Sequence, residues 1–289
     1  MEQIMSALPE SLKALAHGYD TLTPEQYEQA KADLYNSSIG DLNEEDGYNC
    51  DLCKNKGNIS KVVLNEQFGY YSEALVPCKC NRVRNAIRRL NRSGLKNVVK
   101  EYTFDKYETP EPWHKTIKET AQRFCTDQAH DWFYIGGQSG AGKTHICTAI
   151  AVACIKQGKD ARYMLWLEEI KRIKALATEP EQYNRILKEL KEAPVLYIDD
   201  LFKVGKGPDG QVAPPTKADI DVAFEILNHR YNNAGLTTII SSERTLSELL
   251  DIDEAVAGRI AERSKAGGYC INLKKDRAKN WRMKDLVEL

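Results

Sequence analysis

The sequence contains one segment whose residue types and spacing suit phosphate binding. Residues 137–144 match the pattern G-x-x-x-x-G-K-[ST] without deviation, as Gly137, Gln138, Ser139, Gly140, Ala141, Gly142, Lys143 and Thr144. Glycines let the backbone turn its N–H groups towards phosphate. Lys143 is predicted to contact the β- and γ-phosphates of ATP, and Thr144 to bind Mg²⁺. An ordinary glycine-rich turn is the alternative, but the apolar run 132–135 and the helical stretch 145–157 supply the expected strand and helix.

A second motif, Val195 to Asp200, is an apolar run that ends in two aspartates. Such a run predicts a buried parallel strand with carboxylates at its carboxyl end. Asp199 is predicted to bind the Mg²⁺ that accompanies ATP, and Asp200 to orient or deprotonate the attacking water. The alternative is a pair of aspartates that cap the turn after the strand.

Two weaker signals follow in the last quarter of the chain. The β-rich run 236–242 ends in Ser241 and Ser242, either of which could sense the γ-phosphate from the tip of a neighbouring strand. Helix-capping serines are an equally good interpretation of this pair. Arg259 and Arg263 are four residues apart and therefore share one helix face. From spacing alone, surface charges are the simpler interpretation, and an arginine that reaches a neighbouring subunit's nucleotide is the alternative.

Four of the eight cysteines form a C-x₂-C and C-x-C set, made of Cys50, Cys53, Cys78 and Cys80. Four thiolates suit a tetrahedral Zn²⁺, which can stabilise a segment too small to build its own core. A redox-active C-x-x-C is the competing interpretation, but no thioredoxin-like βαβ pattern surrounds the first pair. The sequence therefore predicts a structural zinc site.

Charge is distributed unevenly, although Lys+Arg is 41 and Asp+Glu is 42. Residues 1–48 hold ten acidic and two basic side chains, whereas residues 79–100 hold eight basic and no acidic ones. The overall balance excludes a uniformly basic coat for nucleic acid but allows a local basic patch. No apolar stretch is long enough for a membrane span and no secretory signal is recognisable, so we expect a cytoplasmic protein.

The elements that must position these residues can also be predicted. Thr23 and Pro24 have the types expected at a helix start. Residues 36–49 are polar and contain glycine, so they predict a linker. From residue 113 onward, apolar strands alternate with helical stretches, which predicts an α/β architecture with a mainly parallel sheet.

Together these elements resemble the bacterial and phage replicative helicase loaders of the DnaC/DnaI type. Those loaders are AAA+ ATPases related to the IstB-type transposition ATPases. The resemblance rests on the cysteine and basic segments, the phosphate-binding loop, and residues 102–107, 199–203, 228–231, 238–243 and 258–259. At position 243 this chain has glutamate where the family's sensor 1 strand usually ends in asparagine.

The resemblance implies an AAA+ P-loop domain, a parallel sheet flanked by helices, after a small helical and zinc-binding N-terminal part. The implied domains are an acidic helical head (1–48), a zinc-binding module (49–82), a basic helix and linker (83–108) and the ATPase domain (109–289). Arg259 falls at the family's arginine-finger position.

The resemblance also implies a function. Such a chain binds a hexameric DnaB-type helicase through its N-terminal part and self-associates with ATP. It then delivers the helicase to single-stranded DNA, with slow or partner-dependent hydrolysis. The basic stretch 82–100 and the lysines Lys203, Lys206 and Lys217 are candidate contacts to DNA or a partner. The alternatives are an IstB-like transposition accessory ATPase and an ATP-gated DNA-binding adaptor with little turnover.

Overall fold

The computed structural model describes residues 22–92, 95, 97–127, 129, 131–205, 213–276 and 279–281. The first 21 residues of the predicted acidic head and the candidate contact residue Lys206 lie outside the described residues. By its internal contacts the chain divides into two compact units, Met1–Asn85 and Ala86–Leu289.

The first unit contains helices α1 (Pro24–Ser37) and α2 (Leu42–Asp46) and the antiparallel strands β1 (Asn58–Asn65) and β2 (Tyr70–Pro77). Helix α1 begins as the sequence predicts, with Pro24 in its first turn. The Thr23 hydroxyl accepts a hydrogen bond from the Gln26 N–H, and the Gln26 side chain accepts one from the Thr23 N–H. This reciprocal cap satisfies two N–H groups at the start of the helix.

The prediction of a linker at residues 36–49 is wrong. Asn36 donates a hydrogen bond to the Ser60 carbonyl (2.8 Å) and accepts one from the Ser60 N–H (2.9 Å), so it fastens this segment to β1. Asp46, at the end of α2, is buried and forms an ion pair of 2.6 Å with Arg84. Polar composition suggested a solvated segment, but these polar groups have specific partners within the first unit.

Helix α3 (Cys80–Arg92) carries most of the basic segment, and the boundary between the two units falls within it. Arg84 is fully buried in its pair with Asp46. Further along, Arg89 forms an ion pair with Asp160, and both of these residues belong to the second unit. Two of the basic side chains proposed for nucleic acid or partner contact are therefore already paired with carboxylates.

The second unit holds the remaining elements of the described residues. Its helices are α4 (Val98–Glu101), α5 (Pro112–Thr126), α6 (Lys143–Lys156), α7 (Trp166–Ala175), α8 (Pro180–Glu192), α9 (Lys217–Asn232), α10 (Leu246–Leu250) and α11 (Glu254–Lys265). Its strands are β3 (Trp132–Gly137), β4 (Ala161–Leu165), β5 (Val195–Asp199), β6 (Thr237–Ser242) and β7 (Cys270–Leu273). They form one sheet in the order β4-β5-β6-β3-β7 with every neighbouring pair parallel, which confirms the predicted α/β class.

Strand order brings the predicted motifs together. Strand β6 lies between β3, which leads into the phosphate-binding loop, and β5, which ends in Asp199. Strands β3, β5 and β6 are buried at every position, which explains why their sequences are continuous runs rather than alternating patterns. Because the strands are parallel, their carboxyl ends meet at one edge of the sheet. No helix of the described residues is long and apolar enough to cross a membrane.

Arg230 on α9 is a fully buried cation that ties three elements together. Its guanidinium donates hydrogen bonds to three carbonyls at the carboxyl end of α8, those of Leu190, Lys191 and Ala193. It also donates to the Thr237 carbonyl and the Thr238 hydroxyl of β6. Burial lowers the pKa of this arginine to about 10. Carbonyl dipoles therefore stabilise the charge, and Arg230 anchors α9 and α8 against the sheet.

Candidate nucleotide and metal sites

The phosphate-binding loop lies between β3 and α6. Gly137 has φ of 112° and Gly140 has φ of 77°, backbone conformations that L side chains rarely adopt. A Cβ on Gly137 would also lie only 2.0 Å from the Leu273 carbonyl oxygen of β7. Glycine is therefore required at this position both for the turn and for the close approach of the neighbouring strand.

Lys143, the first residue of α6, is buried within the loop. Its Nζ donates hydrogen bonds to the Gly137 carbonyl (3.0 Å) and the Gln138 carbonyl (2.7 Å). Burial lowers the pKa of this ammonium, an effect that the carboxylates of Asp200 and Glu243 oppose. The loop thus holds a desolvated cation, which interacts with phosphate more strongly than a fully hydrated one.

Thr144 and Asp199 meet at the sheet edge. The Thr144 hydroxyl donates a hydrogen bond of 3.2 Å to Asp199 Oδ1. Tyr163 Oη donates to Asp199 Oδ2 (2.9 Å), and Ser241 Oγ donates to Oδ1 (2.5 Å). A hydroxyl and an oriented carboxylate are oxygen ligands of the kind that Mg²⁺ prefers, so the donor set fits this metal. Sequence reasoning missed Tyr163, because only the pairing of β4 with β5 brings it to Asp199.

Of the two strand-end serines, Ser241 contacts the carboxylate and Ser242 does not. The Ser242 hydroxyl donates to the Leu201 carbonyl (2.9 Å) and accepts from the Arg244 N–H (3.1 Å). Ser242 is fully buried and does not line the cavity beside the loop. Successive side chains of a strand point to opposite faces, so only one of the two serines can face Asp199.

Asp200 lies one residue after β5, with φ of 57°. Its N–H donates to Ser241 Oγ (3.0 Å), and its carboxylate accepts a hydrogen bond of 2.8 Å from Lys203 Nζ. Burial raises the pKa of Asp200, and the charge on Asp199 adds to this rise while the Lys203 contact opposes it.

Lys203 also donates to Glu243 Oε1 (3.0 Å), so one ammonium bridges two carboxylates. Burial by itself would lower the pKa of the Lys203 ammonium. The contacts with the Asp200 and Glu243 carboxylates together have the larger effect, so the pKa is raised. Lys203 was a candidate contact to DNA or a partner. It instead lines the cavity beside the phosphate-binding loop. Lys217, another of those candidates, is exposed and pairs with Asp221 on α9.

The cavity beside the loop has a volume of about 410 Å³ and an aromatic wall. The ring of Tyr107 lies 5.4 Å from that of His145 and 6.2 Å from that of His114, and His114 lies 6.1 Å from Trp281. The backbone N–H of Trp281 donates to the Gly140 carbonyl (2.9 Å), which fastens this residue to the loop. Flat aromatic rings at the rim of a phosphate site suit a nucleobase.

Arg259 does not line the cavity of its own subunit. Its Nε donates to Asn228 Oδ1 and its Nη1 to the Ala255 carbonyl, both at 2.9 Å. The guanidinium lies 4.6 Å from the centre of the Phe224 ring. Arg263, the second candidate, forms an ion pair of 2.5 Å with Asp131. The two arginines that share a helix face therefore have different partners.

The four predicted zinc ligands converge in the first unit. Their Sγ atoms all lie within 4.8 Å of one another, with Cys50–Cys78 at 3.8 Å and Cys53–Cys80 at 3.5 Å. Zn–S bonds of ~2.3 Å in a tetrahedron place sulfur atoms ~3.8 Å apart, so the set fits zinc. Burial opposes ionisation of Cys53, but hydrogen bonds from the Gly57 N–H and the neighbouring thiols outweigh it and lower its pKa to about 7.

Comparison with known proteins gives the family. A family model described as "IstB-like ATP binding protein" matches residues 76–275, which include the phosphate-binding loop and both aspartates. The chain belongs to this family. Membership confirms the resemblance drawn from the sequence, the ATP-binding P-loop and the AAA+ fold, and it implies ATPase activity.

Three curated relatives of this IstB-like chain share 28–29% identity with it. "Uncharacterized protein YqaM" of Bacillus subtilis is 29% identical over 208 residues, or 69% of this chain and 64% of the relative. "Phage-like element PBSX protein XkdC" of the same organism is 28% identical over 226 residues, which cover 74% of this chain and 79% of the relative. "Replicative helicase loader DnaC" of Buchnera aphidicola is 28% identical over 142 residues, which cover 47% of this chain and 56% of the relative. The chain thus spans less than two thirds of the length of the first and third of these relatives.

Proposed function

We propose that this chain is an ATP-dependent loader that binds a hexameric replicative helicase and delivers it to single-stranded DNA. The observation that carries the proposal is the four-cysteine cluster in a chain that also has the IstB-like ATP site. A zinc-stabilised module ahead of the ATPase domain gives such a chain a second binding surface, separate from the nucleotide. The relative named as a replicative helicase loader supports the same function.

In this proposal the triphosphate of ATP lies in the loop 137–144, where backbone N–H groups and Lys143 neutralise it. Thr144 and Asp199 hold Mg²⁺, which neutralises charge on the β- and γ-phosphate oxygens when it is bound. Tyr163 and Ser241 fix the orientation of the Asp199 carboxylate by hydrogen bonds. Asp200 accepts a hydrogen bond from the attacking water and orients it.

Self-association supplies the remaining charge. Arg259 lies outside the cavity of its own subunit, as a residue that serves a neighbour's γ-phosphate would. Stacking on Phe224 and hydrogen bonds to Asn228 and Ala255 give its guanidinium a defined position. Hydrolysis is slow or dependent on a partner, because the site is complete only when a neighbouring subunit supplies Arg259.

The proposed division of labour follows the proposed domains. Residues 1–48 and the zinc-binding module 49–82 bind the helicase, with Cys50, Cys53, Cys78 and Cys80 holding the ion. The basic helix and linker 83–108 contribute salt-dependent contacts to single-stranded DNA, and 109–289 form the ATPase domain. Arg84 is excluded from the DNA contacts, since it is fully buried in its pair with Asp46. Arg89 pairs with Asp160 but is 47% exposed, so it stays available to DNA.

A transposition accessory ATPase is the second candidate, because the family description itself is IstB-like. Such a protein binds duplex DNA and a transposase instead of a helicase. The zinc-binding module and the acidic head favour the loader, because transposition ATPases of the IstB type usually have a shorter N-terminal part without zinc.

The test is co-elution of the full-length chain with the replicative helicase of its own host, with and without ATP and Mg²⁺. A stable complex with the wild type that Cys50→Ser weakens and Cys270→Ser preserves supports the loader. Cys270 is a matched control because it lies in the second unit, outside the cluster. No helicase complex in either condition, together with binding to duplex DNA, favours the transposition ATPase.

A further inference from the structure

Two carboxylates converge on one ammonium at the phosphate end of the nucleotide cavity. Lys203 Nζ lies 2.8 Å from Asp200 Oδ2 and 3.0 Å from Glu243 Oε1. All three side chains line the same cavity as Lys143 and Thr144. The ammonium therefore lies at the wall of the proposed ATP site, with the Lys203 side chain 36% exposed.

The backbone that carries Lys203 is held in an unusual turn. Asp200 and Phe202 have φ of 57° and 60°, in the left-handed region that non-glycine residues rarely adopt. The Ser241 hydroxyl and carbonyl accept hydrogen bonds from the N–H groups of Asp200 and Leu201. Phe202 is 1% exposed and packs edge-on against Trp166 at 5.3 Å. Burial and hydrogen bonds thus maintain a strained turn, a feature that is common at functional sites.

The charges around this turn require a cation. Asp199, Asp200 and Glu243 place three carboxylates at the edge of the sheet, opposite the ammoniums of Lys143 and Lys203. A γ-phosphate bound there adds negative charge beside these carboxylates, and like charges in a partly buried site repel strongly. Lys203 is positioned to reduce this repulsion because its ammonium already contacts two of these three carboxylates, Asp200 and Glu243.

The glutamate at position 243 explains why a lysine is needed to contact the γ-phosphate. An asparagine at the tip of β6 can donate a hydrogen bond to a phosphate oxygen, whereas an ionised glutamate can only accept one. Burial opposes the charge on Glu243, but Lys203 outweighs it and lowers the pKa of this carboxyl, so Glu243 is ionised. Glu243 cannot contact the γ-phosphate favourably by itself, but it can hold a lysine that does.

We propose that Lys203 is the γ-phosphate-sensing residue of this chain and that Glu243 positions it. The γ-phosphate competes with Asp200 for the Lys203 ammonium. When Lys203 turns to the phosphate, the Asp200 carboxylate is available to the attacking water. The glutamate–lysine pair thereby takes the place of an asparagine sensor and links recognition of the triphosphate to the catalytic carboxylate. This inference rests on the ATP site proposed above.

The test compares the affinities of a non-hydrolysable ATP analogue and of ADP, each with Mg²⁺, by calorimetry on the full-length chain. Lys203→Met is expected to weaken binding of the ATP analogue by about tenfold or more while ADP affinity changes by less than about threefold, since a hydrogen bond to a charged group is lost. Lys203→Arg keeps the positive charge and should restore most of the preference for the triphosphate. Lys115→Met is the matched control, because Lys115 forms an exposed ion pair with Glu119 on α5.

Each outcome decides a different question. Retained ADP binding demonstrates that the Lys203→Met variant is folded, so a selective loss of the triphosphate supports the inference. Equal losses for both nucleotides, or no loss, overturn it while leaving the proposed ATP site intact. A wild-type chain that binds neither nucleotide refutes the ATP site itself, and the role of Lys203 with it.

Discussion

The phenol of Tyr163 on β4 donates a hydrogen bond of 2.9 Å to Asp199 Oδ2 at the end of β5. Burial raises the pKa of this phenol, and the neighbouring Asp199 charge raises it further, so the group stays protonated and remains a donor. The contact leaves Oδ1 to face Thr144 and Ser241. Tyr163 therefore determines which carboxylate oxygen is directed at the candidate Mg²⁺ position.

We expect Tyr163→Phe to weaken Mg²⁺-dependent ATP hydrolysis by about tenfold, because hydrogen bonds that orient metal ligands typically contribute 10–100-fold. The effect should appear as a higher Mg²⁺ requirement in an ATPase titration on the folded variant. The loss of a donor to a buried carboxylate should also lower the free energy of unfolding by about 1–3 kcal/mol. Tyr183→Phe on α8 is the matched control, as that tyrosine packs on the apolar core and its hydroxyl contacts Glu225 instead of Asp199. An unchanged Mg²⁺ dependence would show that Tyr163 has only a packing role.

The two strand-end serines should behave differently when each is changed to alanine. Ser241→Ala removes the donor to Asp199 and the acceptor for the Asp200 N–H, so turnover should fall by about tenfold. Ser242→Ala leaves the buried Leu201 carbonyl without this donor and should lower the free energy of unfolding by about 1–3 kcal/mol. Denaturant melts and steady-state ATPase assays on both variants separate the two effects. Equal losses of activity per folded molecule would contradict the assignment.

Local motifs were predictable from sequence, whereas contacts that depend on strand order were not. The loop 137–144 and the cysteine set are encoded by spacing within short segments. The structure forms the loop at the start of α6 and, separately, gathers the four cysteines into one cluster. Tyr163 has no such signature, since β4 meets β5 only through the parallel pairing of the sheet. The position of Lys203 in the nucleotide cavity could not be predicted for the same reason, because its partner Glu243 is 40 positions away in the sequence.

The cysteine cluster gives a prediction about metal content. One zinc per chain is expected by atomic absorption, and Cys53→Ser should lose it because three thiolates remain in place of four. Chelation of the wild type should unfold the hairpin β1–β2, which rests on little apolar core beyond these cysteines. Cys125→Ser is the matched control, since burial raises the pKa of that thiol to about 12 and it lies outside the cluster. A metal-free chain with an unchanged melting profile would contradict the zinc site.

Arg230 gives a prediction about stability. Arg230→Met should lower the free energy of unfolding by about 3–5 kcal/mol, because buried carbonyls of Leu190, Ala193 and Thr237 lose a charged donor. Arg172→Met on α7 is the comparison, since that arginine is 60% exposed and should change stability by less than about 0.5 kcal/mol. Urea denaturation monitored by tryptophan fluorescence measures both. Similar values for the two variants would indicate that the Arg230 contacts contribute little.

Arg259 gives a prediction that separates action within a subunit from action between subunits. Arg259→Ala should reduce ATP turnover by about three orders of magnitude without weakening ATP binding, as expected for an arginine that stabilises the transition state. Lys143→Ala should also lose ATP turnover, because its own phosphate-binding loop is defective, but it keeps an intact Arg259 for the neighbouring subunit. Neither variant alone can assemble a complete site if the arginine comes from the neighbour.

An equimolar mixture of the two inactive variants tests this directly. In a randomly mixed assembly about one quarter of the interfaces join an intact loop to an intact arginine, so about a quarter of the wild-type turnover should return. Arg172→Ala mixed with Lys143→Ala is the control, and about half of the wild-type turnover is expected, since half of the loops are intact and every interface has its arginine. A mixture of Arg259→Ala and Lys143→Ala that stays as inactive as its components would show that Arg259 serves no neighbouring nucleotide.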